Sequence, residues 1–310
     1  MTEFKKYLEI ENSYHAKNIQ RFLAKFPELM FETYVIQEKL HGCNICLIFT
    51  PNEGMLVCSR NKILDPDESF FDVWNTLKKY EEELRAIQQY VDTTKTIMRV
   101  FGELVGSGIN KGVDYMDEKF IRFFDIYIDD KLIAPIHSMT LLDNIGVTHM
   151  IVPIIGIVPS LQEALSFSCE FPTKINPKEG NICEGIVIKS YHNVFISPVG
   201  EVFYLKKKNE KFKEKQHEPK PIMELDEFDN WNNVFRTYIT HNRVESTYSK
   251  MGIISENKQL VEYIKVILDD ARKDFLKDYG EELKGASKAQ LKRVFNIGST
   301  LASMLMEDLC

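Results

Sequence analysis

Residues 38–44 read EKLHGCN and follow the apolar-alternating run YVIQ at 34–37. The order places a primary amine (Lys39), an imidazole (His41), a glycine (Gly42) and a carboxamide (Asn44) in one polar turn at the end of a predicted strand. An amine there is a candidate nucleophile, and the ring and the amide are candidate contacts for an anion or a metal. Further candidates are Arg60 in CSRN (58–61), Glu103 in FGELVGSG (101–108) and Phe124 in FFDIY (123–127). Glu184 and Lys189 lie in EGIVIKS (184–190), and Lys206 and Lys208 in YLKKKNEKF (204–212). Taken singly, each is ordinary. A lysine in a turn is usually solvated, and a lone glutamate is more often a structural ion-pair partner than a catalyst. The glycine-rich 101–108 is not followed by the G-K-[ST] of a P-loop and lacks the G-x-G-x-x-G dinucleotide spacing.

The elements that must carry these residues can be read from periodicity. ICLIF and MLVCS flank the turn-rich TPNEG and read as a β-hairpin. Residues 70–91 read as a helical stretch with charge on one side. IMRVFGELVGSG (97–108) reads as a strand running into a glycine turn, and FIRFFDIYI (120–128) as another strand. GIVIKS and EVFYLKK add two more. Strands and short helices are mixed, so residues 1–220 are expected to form an α+β domain with antiparallel sheets. Residues 215–230 are charged and carry two prolines, as a linker would. The expected second domain, 232–310, is small and all-α. In 257–279, Leu260, Ile264, Ile267, Leu268, Ala271 and Phe275 share one face, and Gly280 offers a stop. In 287–309, Ser287 is a candidate N-cap for a stripe of Leu291, Val294, Phe295, Leu301, Met304 and Leu305.

The chain has 310 residues, 44% of them hydrophobic and 27% charged, which suits a globular protein of two domains. No apolar run reaches membrane-span length and the first residues are charged, so an intracellular, cytoplasmic protein with no membrane partner is expected. The net charge of −7 argues against nonspecific nucleic-acid binding, but the lysine-dense 204–215 is a local basic patch that could hold phosphate. Cys43 and Cys46 have C-x-x-C spacing. With no second cysteine pair or histidine pair to complete a zinc site, buried thiols are the better reading.

In order and content the set resembles the covalent nucleotidyltransferase superfamily of polynucleotide ligases and mRNA capping enzymes. That superfamily has a K-x-[DH]-G lysine, a downstream arginine, a glutamate, an aromatic–Asp pair, an E-G-x-x-[IVL]-K strand and a K-x-K strand. His41, where most members have aspartate, is similar to the RNA ligase 2 family, which seals nicks in duplex RNA. The resemblance extends to FKKYLEIENSY, VFGELVGSGINKGVDYMDEKF, LKKKNEKFKEK and YITHNRVESTYSKMG.

The resemblance implies an N-terminal nucleotidyltransferase (ATP-grasp-like ligase) domain and an ATP-dependent RNA ligase. Its cofactors would be ATP and Mg²⁺ or Mn²⁺. Its partner would be RNA with 5′-phosphate and 3′-OH ends, bridged in a duplex, and a monomer is expected. Lys39 would take AMP. An amine with an ordinary pKa near 10.4 is mostly protonated at neutral pH, so cations around it, Lys206, Lys208 and a metal, are expected to activate it. A strand would put Lys206 and Lys208 on one face. By the same resemblance His41, Lys206 and Lys208 join Lys39 in catalysis. Glu38, Asn44, Arg60, Glu103, Phe124, Glu184 and Lys189 join the nucleotide site, with Phe124 matching the aromatic that stacks on adenine; its neighbour Phe123, which strand alternation would point the other way, stays open as the alternative. Glu103 and Glu184 hold metal, and Arg60, Asn242 and Arg243 meet RNA. For Asn242 and Arg243, a structural place at a helix start is the alternative. Glu184 and Lys189 are an odd number of residues apart, so a regular strand would set them on opposite faces unless it is bulged or Glu184 precedes it. Gly42 is expected to let the backbone bend at the turn.

The chain departs from the family pattern at Ile45, where an aromatic is usual, and in a shorter 58–64 turn and C-terminal region. The competing enzymes are a DNA ligase or a capping-type nucleotidyltransferase. His41 and the absence of the five short strands of an OB-fold in 232–310 speak against both. A catalytically dead nucleotide- or RNA-binding module would require a lost motif residue, and none is lost.

Overall fold

The computed structural model describes residues 4–213, 227–252 and 257–296. Most of the proposed linker and the last turns of the proposed final helix, with Leu301, Met304 and Leu305, lie outside the described residues. The chain divides into two compact units, 1–211 and 212–310.

The first unit is α+β. Its strands are β1 (Glu11–Asn12), β2 (Tyr34–Lys39), β3 (Cys43–Thr50), β4 (Gly54–Ser59), β5 (Met98–Val105), β6 (Phe120–Ile128), β7 (Lys131–Leu132), β8 (Ile154–Val158), β9 (Gly185–Ser190) and β10 (Tyr204–Lys208). They form two five-stranded sheets, ordered β1-β10-β9-β2-β8 and β4-β3-β5-β6-β7, antiparallel except for the short β1–β10 pair. The helices are α1 (Ala16–Lys25), α2 (Val73–Lys78), α3 (Glu81–Thr94), α4 (Pro135–Ile145) and α5 (Leu161–Ser166). The helical stretch expected over 70–91 is two helices, separated at Lys79–Tyr80. Three successive glutamates, Glu81, Glu82 and Glu83, fill the first turn of α3, where negative charge offsets the partial positive charge of a helix start.

The period of two in β3 divides its side chains between two cores. Cys43, Ile45, Leu47 and Phe49 pack under α2 and α3 with Val73, Leu77, Ile87 and Val91. Cys46 and Ile48 point the other way and meet Tyr7, Cys58 and Phe101. Cys43 and Cys46 are thus buried on opposite faces of the sheet, and burial pushes both thiols up. The first sheet packs Tyr34, Ile36, Ile186 and Ile188 against Ile19 and Phe22 of α1 and Leu161 and Ala164 of α5. The two sheets are joined in the chain by the turn at residues 40–42, between β2 and β3.

The second unit is helical over its described residues: α6 (Glu227–Arg236), α7 (His241–Met251), α8 (Asn257–Tyr279) and α9 (Lys288–Val294). The apolar face read in α8 is the core face: Ile267, Ala271 and Phe275 are fully buried with Phe235, Tyr238, Val244 and Val294. Ser287 caps α9 in a reciprocal capping box with Gln290. No described helix is long and apolar enough to cross a membrane.

Arg243 lies inside this core. Its Nε donates to the Tyr238 carbonyl (2.8 Å), one terminal nitrogen meets Asp274 (2.9 Å) and the other meets Asp270. Removing a buried partner leaves the remaining charges poorly compensated and opens a cavity. Arg243→Ala should therefore cost on the order of 3 kcal/mol in the second unit. Chemical unfolding followed at Trp231, which packs in this unit, measures it; a loss below about 1 kcal/mol would contradict the buried network.

Candidate active site

The site is built around one carboxylate. Glu184 occupies the bend just before β9 and is 3% exposed. The Nζ of Lys39, last residue of β2, lies 2.6 Å from its Oε2, and the Nζ of Lys208, last residue of β10, lies 3.2 Å from its Oε1. Nδ1 of His41 is 3.5 Å from Oε2. Strand register makes this convergence. Lys39 and Lys208 both pair with Gly185, from the two sides of β9. A Cβ on Gly185 would sit 2.1 Å from the Lys207 carbonyl oxygen, so only glycine allows β10 this close. Burial alone would raise the Glu184 pKa, but Lys39, then Lys208, then His41 overcome it and hold the carboxyl well below the ordinary carboxylate range. Lys39 keeps 24% of its side chain exposed and stays open to a ligand. Lys208, one of the cations expected near Lys39, meets the other oxygen of this carboxylate, and the immediate partner of Lys39 is the anion itself.

Lys206 and Lys208 share a face of β10, as the strand period requires. Lys207 goes the other way, donating to the carbonyls of Leu165 and Phe167 (3.0 and 2.9 Å).

The start of the second sheet adds a second group. Asn44 pairs with Glu103, and Ser59 pairs with Ile45, so Arg60 leaves β4 at the end of the sheet where Asn44 and Glu103 lie. Glu103 Oε1 accepts the Gly42 N–H (3.1 Å). Burial pushes the Glu103 pKa up to about 7; Lys39 opposes this, Glu184 adds to it, and the Gly42 N–H and His41 oppose it. The Oδ1 of Asn44 is buried without a hydrogen-bond partner. Gly42 sits at a bend, as expected, although its φ is not positive. It is needed for close approach: a Cβ there would fall 2.2 Å from the Leu104 carbonyl oxygen.

Phe123 and Phe124 divide as alternation predicts. Phe123 is in the core under the helices, while Phe124, at a bulge in the β5–β6 ladder, is half-buried on the opposite face. Lys189 is fully buried behind it. Its Nζ donates to the Phe124 carbonyl (2.9 Å), pairs with Asp125 (2.8 Å) and lies 5.4 Å from the Phe124 ring centre. Asp125 also accepts from Tyr7 (2.5 Å). The parity problem between Glu184 and Lys189 thus resolves in favour of Glu184 preceding the strand. Lys189 faces Asp125 and Phe124 and does not join the Glu184 cluster.

Other expected contacts are placed elsewhere. The Glu38 carboxylate is held by the Thr173 hydroxyl and the Lys174 N–H (2.8 Å), away from Lys39, and burial raises its pKa. Arg243 is turned into the helical core and is corrected from an expected RNA contact to a structural residue. Asn242, at the start of α7, donates to the Lys213 carbonyl (2.9 Å). Tyr7, Asn110, Tyr115 and Thr173 were not singled out by the sequence. The signal available for Asn110 and Tyr115 was the length of their loop, 106–119, which is long for a hairpin connection.

Glu103, Glu184 and Asn44 offer hard oxygen donors of the kind Mg²⁺ or Mn²⁺ prefers. Among the described residues no group of three or more His, Cys, Asp or Glu is placed to hold a metal alone. The donors fit a cation that shares its coordination with phosphate oxygens and water, as Mg²⁺ usually does.

Comparison with known proteins places this geometry. The family described as RNA ligase matches residues 32–208, and that described as T4 RNA ligase 2 C-terminal matches 225–299. Among solved structures, a ligand-free mutant of the Naegleria gruberi RNA ligase is similar over 67% of this chain and 56% of that one, at 19% identity and a TM-score of 0.51. Another mutant of that enzyme, with ATP and Mn, is similar over 68% and 58%, at 18% identity and a TM-score of 0.51. The chain thus spans less than two thirds of the length of these proteins, and they share its fold.

The raised pKa of Glu103 sets a pH dependence. An acid whose folded pKa lies above its ordinary value of 4.5 binds its proton more tightly in the folded state. Folding stability therefore falls as pH rises from about 4.5 through about 7. Glu103→Gln, neutral throughout, escapes this loss. Relative to the unsubstituted protein it should gain on the order of 2 kcal/mol between pH 5 and pH 8 without metal. Denaturant unfolding at the two pH values measures this, and a difference independent of pH would contradict the placement of Glu103.

Proposed function

The chain belongs to the RNA ligase family, and on that premise we propose that it is an ATP-dependent RNA ligase. It joins 3′-OH and 5′-phosphate RNA ends at nicks in duplex RNA, as a monomer. The observation that carries this reading is the convergence of Lys39, His41 and Lys208 on the buried carboxylate of Glu184.

In the first step the Nζ lone pair of Lys39 attacks the α-phosphorus of ATP. A P–N bond forms, the bond from the α-phosphorus to the bridging oxygen breaks, and pyrophosphate leaves with that electron pair. The ammonium gives up two protons overall. Glu184, held well below the ordinary carboxylate range, is a poor acceptor for them. Its part is to fix the amine at the floor of the pocket, which turns a chance encounter into an oriented one. Lys206 and Lys208, on one face of β10, are placed to offset charge on the phosphates. Arg60 and His41 hold the leaving pyrophosphate and the RNA end in this reading. When bound, a divalent cation held by Glu103 and Glu184 would neutralise phosphate charge and weaken the hold of Glu184 on the amine. Phe124 offers a ring face for adenine, with Lys189 and Asp125 fixing it from behind. In the second step an oxygen of the RNA 5′-phosphate attacks the AMP phosphorus and Lys39 departs as an amine that regains its protons. In the third, the RNA 3′-oxygen attacks the adenylated 5′-phosphate, loses its proton and expels AMP.

Incubation with labelled ATP and a divalent cation should attach AMP covalently to the protein, and labelled GTP should not. Lys39→Ala, and Lys39→Arg, whose side chain stays protonated, should each abolish the adduct. As a phosphoramidate it should survive alkali and break in acid. Normal labelling of Lys39→Ala would refute the assignment, and preference for GTP would favour a capping-type enzyme.

Each unit buries its own core, so a chain ending at Lys213 should still form the adduct while losing the sealing of nicked duplex RNA. Retained sealing would contradict a role for the helical unit in engaging RNA.

A further inference from the structure

The turn at 40–42 leaves one sheet at Lys39, paired with Gly185, and joins the other at Cys43, paired with Leu104. Between these points it belongs to neither ladder, and its buried backbone groups must find partners elsewhere. Side chains supply them. The His41 N–H donates to the Tyr115 hydroxyl (2.8 Å), the Gly42 carbonyl accepts from Asn110 Nδ2 (2.9 Å), and the Gly42 N–H donates to Glu103 (3.1 Å). Two of these three come from the 106–119 loop between β5 and β6.

That loop is braced in turn. The Asp114 N–H donates to Asn181 Oδ1 (2.8 Å), and its carbonyl accepts from Asn181 (2.7 Å) and Asn176 (3.2 Å). Its carboxylate pairs with Lys178 (3.1 Å), and the Gly112 carbonyl accepts from Lys211 (2.8 Å). Residues 176–181 lead directly into Glu184. One loop therefore ties down both the turn that carries Lys39 and His41 and the segment that carries their carboxylate.

We infer that Asn110 and Tyr115 are positioning residues for Lys39: they clamp the turn that follows it and so set the rate at which its amine attacks the nucleotide. The inference rests on the nucleotidyl-transfer function proposed for this pocket. Neither residue reaches the Lys39 amine; both act through the backbone of His41 and Gly42. Tyr115 is buried and its ring meets Phe120 edge-on, with centres 6.3 Å apart. Tyr115→Phe therefore keeps the packing and takes away the hydroxyl to which the buried His41 N–H donates. Asn110→Ala removes the donor at the other side of the same turn.

The test uses the full chain with either substitution. Single-turnover formation of the AMP adduct at saturating ATP should slow by roughly 10- to 100-fold, since small misplacement of a reacting group has effects of that size. The ATP concentration for half-maximal rate should change far less than the rate, because Arg60, Phe124, Lys206 and Lys208 are untouched and only His41 lies on the clamped turn. Sealing of a pre-adenylated nicked RNA, which bypasses attack by Lys39 and depends on this turn only through His41, should slow several-fold less than adduct formation. A merely structural role would slow both reactions together or lower only the melting temperature, and either result overturns the clamp, as does adduct formation at the unsubstituted rate. Hydrogen exchange gives a readout free of activity: the His41 amide should be protected in the unsubstituted protein and exposed in Tyr115→Phe. Equal protection in both overturns the clamp. If the unsubstituted protein forms no adduct with ATP, the nucleotidyl-transfer function fails, and the exchange measurement still decides whether the turn is clamped.

Discussion

A single buried carboxylate between two lysines organises the first unit. Glu184 can be ionised inside the protein only because Lys39 and Lys208 approach it from the two neighbouring strands, with His41 beside them. Burying a lone charge is costly, and opposite charges within hydrogen-bond reach repay that cost. The convergence depends on strand order, since β9 lies between β2 and β10 and both lysines sit opposite Gly185. Register, glycine and ion pair thus form one constraint. A slip of one residue in either ladder would carry a lysine to the other face of the sheet.

Two carboxylates a short way apart are driven in opposite directions. Glu184 is surrounded by cations and held ionised, while Glu103 is desolvated, feels Glu184 and rises to about 7. Neighbouring groups of unlike proton affinity are a common mark of a site that handles charge. Here the contrast gives a cation something to do. Charge brought to Glu103 and Glu184 would ionise the first and compete with Lys39 for the second. Apart from this pair, Lys189 donates to the Phe124 carbonyl and pairs with Asp125, which also accepts from Tyr7.

Much of this was legible in the sequence where periodicity or motif order carried the information. The strand period put Lys206 and Lys208 on one face, separated Phe123 from Phe124, and exposed a parity conflict between Glu184 and Lys189 that the bend before β9 resolves. The apolar face of α8 was legible for the same reason. What escaped depends on contacts distant in sequence. Nothing near Glu38 announces that Thr173 and Lys174 hold its carboxylate. Nothing near Arg243 announces Asp270 and Asp274, so a surface contact and a structural place at the helix start stayed equally open for it. The bend at Gly42 was legible, but not the crowding that excludes a side chain there, which comes from Leu104 on another strand. The break between α2 and α3 was missed because the apolar spacing runs through it, although the three glutamates mark the new start.

The account stands on the ionisation of Glu184 against Glu103, and carboxyl-carbon NMR of the ligand-free protein titrates both directly. With the two resonances assigned through Glu184→Gln and Glu103→Gln, the Glu103 signal should move through its midpoint near pH 7. The Glu184 signal should stay at its ionised position down through the ordinary carboxylate range. A Glu184 carboxyl that titrates at or above that range would contradict the account, since Lys39 and Lys208 would then not be held by a charge.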